Sequence, residues 1–262
     1  MSKPGVALQA FAVVFALSGC SGGPQYPAPP APPAEKAAPA QPVFDPSTAT
    51  ARVHGNVMFE GKPPEIPPMT IGGDRLCQMN ALNIRNNKAI VTSDGRLRNT
   101  IIYVRSGHEG RSYIPPATTV VLDQQGCIYT PHVFTVMKGQ KFTVRNSDET
   151  FHNVHAWDGS RSEFNLGQGS KGVEDIQTFA HTALPFRIGC DFHKWMAAYA
   201  GVFDHPFHTT SGETGSYELR LPPGKYEIVA WHEKYGEQSS MTEVHENGAA
   251  ELNFKFTAST GK

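Results

Sequence analysis

From residue 51 onward the chain consists of short segments in which apolar or β-branched residues alternate with polar ones. The runs are ARVHGNVMF, NKAIVTS, RNTIIYVRS, TTVVLDQ, VFTVMKGQKFTVRNS, DIQTFA, FRIGC, YAGVFDH, GSYELRL, KYEIVAWHE and AELNFKF. Turn-forming pairs such as Asp94-Gly95 and Asp158-Gly159 separate them. Alternation with a period of two is typical of strands, because successive side chains point to opposite faces. The pattern predicts an all-β fold, a β-sandwich with Greek-key connections.

The N-terminus reads as an export signal. Lys3 precedes an apolar stretch, residues 6–17, that is too short to be a stable membrane span. The following Leu-Ser-Gly-Cys resembles the bacterial lipoprotein signal. That resemblance implies that residues 1–19 are removed and that Cys20 carries the lipid. Ser21, where an Asp would indicate retention in the inner membrane of enteric bacteria, favours the outer membrane. An ordinary signal peptide, cut near residues 22–23, is the alternative.

Residues 20–50 are dense in Pro and Ala and predict an extended spacer, because such a segment cannot bury enough apolar surface to fold. We therefore expect an exported protein, lipid-anchored in the periplasm or on the cell surface, that contacts the membrane only through its N-terminal lipid. A docking segment for a Pro-rich-binding partner is the other interpretation. The formal net charge of −1 and the absence of a basic run argue against nucleic acid as a partner.

The C-terminal part resembles a carboxypeptidase regulatory-like (transthyretin-like) module. The resemblance is carried by Gly-Ser-Tyr at 215–217, Leu-Pro-Pro-Gly at 221–224 and the strand that begins at Tyr226. The opening of such a module, a Gly-x-Val strand and a Gly-x-Pro turn, is found far upstream at 55–57 and 61–63. We therefore expect a β segment over 51–96, a separate domain over 97–205 and a smaller transthyretin-like β-sandwich over 206–262. Either the module is split, with 51–96 as its first part, or the chain has consecutive domains; both arrangements stay open.

The stretch IGCDFHKWMAAYAGVF, residues 188–203, carries Cys190, His193 and Met196 three residues apart. A copper ion that alternates between Cu(I) and Cu(II) is suited by a thiolate, two imidazoles and a weak axial thioether. The second imidazole can come from His152 in VRNSDETFHNVHAW. A lone Cys or Met in an apolar run is more often a core residue, but the combined spacing favours a metal site.

His-Asn-Val followed by Cys-x2-His-x2-Met resembles the cupredoxins, the small blue copper proteins, and the spacing is most similar to that of amicyanins. The resemblance implies one type 1 copper held by His152, Cys190, His193 and Met196. It also implies that Asn153 ties the ligand strand to the Cys loop. Electrons would enter and leave at His193, with Phe192 and Trp195 around it. The residues between Cys190 and Met196 differ from the amicyanin loop, which leaves the tuning of the potential open.

The remaining cysteines allow two arrangements. Cys77 and Cys127 can form a disulfide, which leaves Cys190 as the thiolate, or both can stay as thiols. A second spacing, Cys127-x4-His132-x4-Met137, also occurs in some copper sites, but neither upstream His stands in a His-Asn-Val context. His155 is interpreted as a non-ligand. His205, His208 and His232 are interpreted as loop and strand residues, with a second surface metal site that includes Glu233 as the alternative.

The predicted function is electron transfer rather than catalysis, because a copper with four protein ligands has no open position for a substrate. The partners would be a redox donor and a redox acceptor protein. Two alternatives are a copper-binding or copper-buffering lipoprotein and a cell-surface binding module without electron transfer. A copper enzyme would need a second, catalytic copper, for which no clear His set is present in the sequence.

Overall fold

The computed structural model describes residues 41–65, 71–86 and 90–258, and of residues 85 and 86 only the backbone. The predictions for the signal segment 1–19, for Cys20 and for most of the spacer lie outside the described residues. Within the described ranges, we find no helix with the length and apolar character needed to cross a lipid bilayer.

Short β-strands dominate the structure, which confirms the predicted all-β fold. The strands are β1 (Ala51–Glu60), β2 (Ile101–Ser106), β3 (Val120–Gln124), β4 (Tyr129–Thr130), β5 (Val133–Met137), β6 (Phe142–Asn146), β7 (His152–Asp158), β8 (Arg161–Gln168), β9 (Glu174–Gln177), β10 (Ala183–Gly189), β11 (Ala197–Phe203), β12 (His208–Thr210), β13 (Ser216–Leu221), β14 (Gly224–His232), β15 (Gly236–Val244), β16 (Ala249–Glu251) and β17 (Phe254–Thr257). In β1 every second residue is buried, as the alternation predicts.

The first sandwich packs two sheets around one core. Its sheets have the strand orders β5-β11-β10-β7-β8 and β4-β3-β6-β9. Aromatic rings fill the space between them: Phe142 stacks on Phe179 with ring centroids 5.1 Å apart, and Phe179 also packs against Phe186 at 4.5 Å. All three rings are fully buried. Their burial holds the two sheets together, since each large side chain removes much apolar surface from water.

The second sandwich is assembled from chain segments on both sides of the first. One of its sheets has the order β13-β1-β16, with β17 also on β1, and the other has β12-β2-β14-β15. β1 runs antiparallel to β13, and β2 runs antiparallel to both β12 and β14. Buried side chains of β1, β2, β13, β14 and β17 share one core.

This pairing bears on the expected division of the chain. β2 lies inside the range 97–205 assigned to the copper domain, yet its hydrogen-bonded neighbours are strands of the second sandwich. Pairing of β1 with strands beyond residue 215 is the arrangement that a split module requires. The described residues from 41 to 258 nevertheless fall into one unit, so the domain boundaries remain a prediction.

A small cluster of buried residues lies between the two sandwiches. It contains Ile101, Val133 and Phe203, and Phe203 stacks on Tyr103 at 4.9 Å between ring centroids. A hydrogen-bonded pair lies beside it, with His132 Nε2 2.7 Å from a Glu233 carboxylate oxygen. These contacts fix the first sandwich against the second through both apolar and polar groups.

Two features depart from the sequence expectations. The segment before β2 contains two short helices, α1 (Arg75–Met79) and α2 (Ala81–Asn86), where no helical periodicity was seen. The end of the predicted spacer is also ordered: it forms a short 3-10 helix over Pro46–Thr48, and the Phe44 ring packs edge-on against Phe207 at 5.2 Å. An aromatic residue near the end of the predicted spacer thus packs on an apolar surface, and the spacer bounds 20–50 stay a prediction.

Candidate metal centre

The pairing of β10 with β7 brings the predicted ligand segments together. β10 ends at Gly189, which lies opposite His155 in the antiparallel register, and Cys190 follows directly. The loop then closes on itself, since the Met196 N–H donates to the His193 carbonyl at 2.8 Å. As a result, the Cys190–Met196 loop lies beside His152, the first residue of β7.

Three candidate ligand atoms converge at this point. His152 Nδ1 and His193 Nδ1 are 3.0 Å apart, and Cys190 Sγ is 3.7 Å from His193 Nδ1. The thiol and the two imidazoles lie within 4.8 Å of one another, and all three residues are buried. With metal–nitrogen distances of about 2.0 Å and metal–sulfur distances of about 2.3 Å, atoms at this spacing can share a single ion.

Asp148 orients the His152 ring, although sequence reasoning did not identify it. His152 Nε2 lies 2.9 Å from Asp148 Oδ2. Because a carboxylate accepts, Nε2 carries a proton toward Asp148, and Nδ1 is the nitrogen that faces the other candidate ligands. The N–H groups of Gly126 and Cys127 donate to the same carboxylate at 2.7 and 2.8 Å. The available signal was its position four residues before His152, in the turn that precedes the ligand strand.

Asn153 links the ligand strand to the Cys loop. Its Oδ1 accepts from the Asp191 N–H at 2.7 Å, and its Nδ2 donates to the Asp191 carboxylate at 2.8 Å. The Asn165 amide also donates to that carboxylate, at 3.0 Å. Asp191 and Asn165 are thus further members of the network that the sequence did not reveal. Such partners hold ligands in place and are part of how a metal site is built.

Burial, hydrogen bonding and charge together shift the pKa values of the candidate ligands. Burial raises the pKa of the Cys190 thiol, but hydrogen bonds from His152 and from backbone N–H groups, that of Asn153 first among them, outweigh burial and lower it overall. Burial lowers the pKa of His152, yet its bonds with Asp148 and Cys190 raise it overall. The pKa of His193 is lowered by burial and by the charge of His152. A lowered thiol pKa favours the thiolate, the form that binds metals.

The donor set fits copper. A thiolate and two imidazoles, with a thioether as a weak fourth ligand, suit a Cu(I)/Cu(II) couple. Met196 is 2 % exposed, and its backbone carbonyl faces the Cys190 N–H at 3.4 Å. Met196 therefore closes the loop that carries Cys190 and His193.

The surface over the centre is aromatic. His193 is only 7 % exposed, whereas Phe192 is 64 % exposed. The Phe192 ring meets Phe151 edge-on at 4.9 Å. Phe151 was missed by the sequence analysis, although it is an apolar residue in an otherwise polar turn directly before His152. Trp195 lies 5.1 Å from the His193 ring and donates its indole N–H to the Cys127 carbonyl at 3.0 Å.

The second Cys-His-Met spacing does not assemble into a site. In the structure Cys77 and Cys127 form a disulfide, and Cys190 is a buried free cysteine. His132 instead contacts the Ala197 carbonyl through Nδ1, at 2.9 Å, and the Glu233 carboxylate through Nε2. Cys127 is consequently unavailable as a metal ligand.

The other histidines have separate environments. His155 contacts Asp191 and Ser162 and does not belong to the cluster of candidate ligand atoms. His232 is fully buried and stacks on Tyr235. Glu233, paired with His132, does not join His205 and His208 in one cluster. The alternative surface metal site of His205, His208, His232 and Glu233 is therefore not assembled among the described residues.

A cleft of about 470 Å³ runs along one side of the centre. Two cationic side chains, Arg187 and Lys194, line it together with Trp157, and it reaches Cys190 and Met196. Arg187 lies over the Trp157 ring, 5.3 Å from its centroid. The cleft gives solvent a route to the side of the loop that carries Met196.

No protein-family model matches the sequence, and no curated protein sequence matches it. Solved structures to which part of the chain is similar include a Cu-containing nitrite reductase (NirK) from Thermus scotoductus, at 19 % identity and a TM-score of 0.29, covering 38 % of this chain and 25 % of that one. Amicyanin from Paracoccus versutus matches at 23 % identity and a TM-score of 0.29, covering 38 % of this chain and 96 % of that one. A purple cupredoxin from Nitrosopumilus maritimus matches at 18 % identity and a TM-score of 0.26, covering 32 % of this chain and 98 % of that one.

Proposed function

We propose that the protein is an exported carrier of single electrons whose type 1 copper is held by His152, Cys190, His193 and Met196. The observation that carries the proposal is the convergence of His152 Nδ1, His193 Nδ1 and Cys190 Sγ in a buried site. A copper ion bound there would supply one-electron exchange between Cu(I) and Cu(II).

The chain's own residues would keep this centre rigid. Asp148 holds the ring of His152, and Asn153 holds the loop through Asp191. Because the donors are already oriented, little rearrangement is needed when the charge of the centre changes by one electron. The cost of reorganisation on transfer is thereby kept small, which is what a carrier requires.

The exposed pair Phe151 and Phe192 would form the contact surface for redox partners. An exposed apolar patch rimmed by polar residues favours protein contact. Small interfaces suit brief redox encounters, which must dissociate quickly. The donor and the acceptor would be redox proteins, reached while lipid on Cys20 anchors the chain to a membrane. On this proposal the protein is not an enzyme, since all four positions of the copper are taken by protein ligands.

A copper carrier or buffer is the second candidate, and the cleft beside Met196 favours it. Lys194 and Met196 border a route by which copper could enter or leave the site. An electron carrier and a copper carrier differ in what exchanges: the first retains its metal through many redox cycles, and the second gives it up to an acceptor ligand.

The test is visible absorption and electron paramagnetic resonance of the Cu(II)-loaded protein, with Cys190→Ala as the variant. We expect an intense thiolate-to-copper band and narrow hyperfine splitting that Cys190→Ala abolishes. His155→Ala is the matched control, because it removes a neighbouring imidazole of the same His-Asn-Val-His motif and should leave the spectrum in place. A pale spectrum indifferent to Cys190→Ala would overturn the proposal. Copper lost to a chelator within a few redox cycles would favour the carrier alternative.

A further inference from the structure

A second group of side chains of the types that ligate metals lies beside the second sandwich, away from the blue copper candidate. His108 is in the loop after β2, and Asp204 and His205 are in the turn between β11 and β12. Pairing of β12 with β2 holds these segments together, and the Val104 N–H donates to the Phe207 carbonyl at 3.0 Å. The two segments are therefore fixed by the sheet.

The side chains converge. One ligand atom from each of His108, Asp204 and His205 lies within 4.8 Å of the others. The two imidazole rings are 4.1 Å apart between centroids and inclined at 52°. His108 Nδ1 is buried and makes no hydrogen bond to the described part of the chain. A buried polar atom in this state is uncommon in folded proteins, and a bound ion is one way to satisfy it.

The surroundings favour a cation that exchanges with solvent. Asp204 is exposed, and a cavity of about 350 Å³ is lined by His108, Glu109 and Asp204. The Glu109 carboxylate accepts from the Gly107 N–H at 2.8 Å, which keeps a second acidic group next to His108. Arg111 lines the same cavity, and its positive charge repels a cation. The negative charges of Glu109 and Asp204 must therefore outweigh the charge of one guanidinium.

One contact sets a limit on the affinity. His205 Nδ1 accepts from the Phe207 N–H at 3.1 Å. A metal on Nδ1 would have to replace this bond, and a metal on Nε2 would require a proton on Nδ1 facing the same N–H. Either way one hydrogen bond is given up. The site should therefore bind more weakly than a preformed zinc site with three free ligands.

We propose that His108, Asp204 and His205 form a second, exchangeable site for a divalent metal of the Zn²⁺ or Cu²⁺ class. Two imidazoles and a carboxylate are ligands that these ions accept, with a position left for water. No sulfur takes part, so the site is chemically distinct from the thiolate centre. The proposal does not depend on the proposed electron transfer.

The test is Zn²⁺ titration of the full chain by calorimetry, in the Cys190→Ala background so that the thiolate centre contributes no sulfur ligand. We expect one Zn²⁺ equivalent. Adding His108→Ala should abolish this binding, and adding Asp204→Asn should weaken it at least tenfold. His245→Ala is the matched control, since His245 is exposed and lies outside the cluster; it should change nothing.

Two results would overturn the proposal: no Zn²⁺ bound by the Cys190→Ala protein, or binding that His108→Ala and Asp204→Asn leave unchanged. If Cys190→Ala proves poorly folded, the same comparison is made in the otherwise wild-type chain. There His108→Ala should reduce the Zn²⁺ stoichiometry by one equivalent, and an unchanged stoichiometry would overturn the proposed second site. Failure of the proposed copper function appears elsewhere, as a missing thiolate band in the Cu(II)-loaded protein, so the two proposals fail independently.

Discussion

Removal of the disulfide offers the most quantitative test of the structure. Cys77 and Cys127 are joined across 50 residues of sequence, and both are fully buried. In the chain-entropy relation, a loop of this length lowers the entropy of the unfolded chain by about 14 cal/mol/K, or about 4 kcal/mol at 25 °C. We expect the double variant Cys77→Ala/Cys127→Ala to lose about this much free energy of unfolding.

The assay is urea unfolding of the metal-free protein, followed by tryptophan fluorescence in the presence of a chelator. Wild type in reductant should lose the contribution of the crosslink alone, and the double variant should lose somewhat more, because it also lacks the packing of two buried sulfur atoms. Cys77→Ala compared with wild type, both in reductant, isolates the packing contribution of one side chain. A loss below about 1 kcal/mol, well under the typical range for a native disulfide, would refute the reasoning and show that the crosslink does not constrain the unfolded chain as assumed.

Three other outcomes can be checked. Asp148→Asn should weaken copper binding 10–100-fold, as is typical when the partner of a ligating His is removed, whereas Asp158→Asn should not; a competition titration measures this. Burial raises the pKa of Glu233, but its hydrogen bonds and the charge of its partner His132 outweigh burial and lower that pKa from 4.5 to about 2. At about 1.4 kcal/mol per pKa unit, ionised Glu233 contributes about 3 kcal/mol to the free energy of unfolding. That stability is present above pH 4.5 and lost as pH falls towards 2, so the stability difference between wild type and Glu233→Gln should shrink over this interval in urea unfolding. Phe192→Ala should slow electron exchange with a redox partner in stopped-flow measurements while changing stability by less than about 0.5 kcal/mol; Met241→Ala, which truncates another exposed side chain, should change neither.

Some properties of this protein could be predicted from the sequence because they depend on short-range patterns. Alternating side chains and turn pairs such as Asp94-Gly95 indicate strands wherever they occur, and the all-β prediction is confirmed. The spacing of Cys190, His193 and Met196 is local as well, and it is the spacing that made a metal site a reasonable hypothesis. The structure brings His152, Cys190 and His193 within reach of one another, and their role as copper ligands stays a prediction.

Other properties were decided only by the tertiary structure, because they depend on which distant segments meet. Asp148 is one acidic residue of a polar turn until the fold places Gly126 and Cys127 against it. Likewise, nothing in the sequence near His108 indicates that it lies beside His205, since β2 and β12 pair across the whole first sandwich. Pairing between strands about a hundred residues apart depends on which buried faces pack together, and local sequence patterns do not specify that packing.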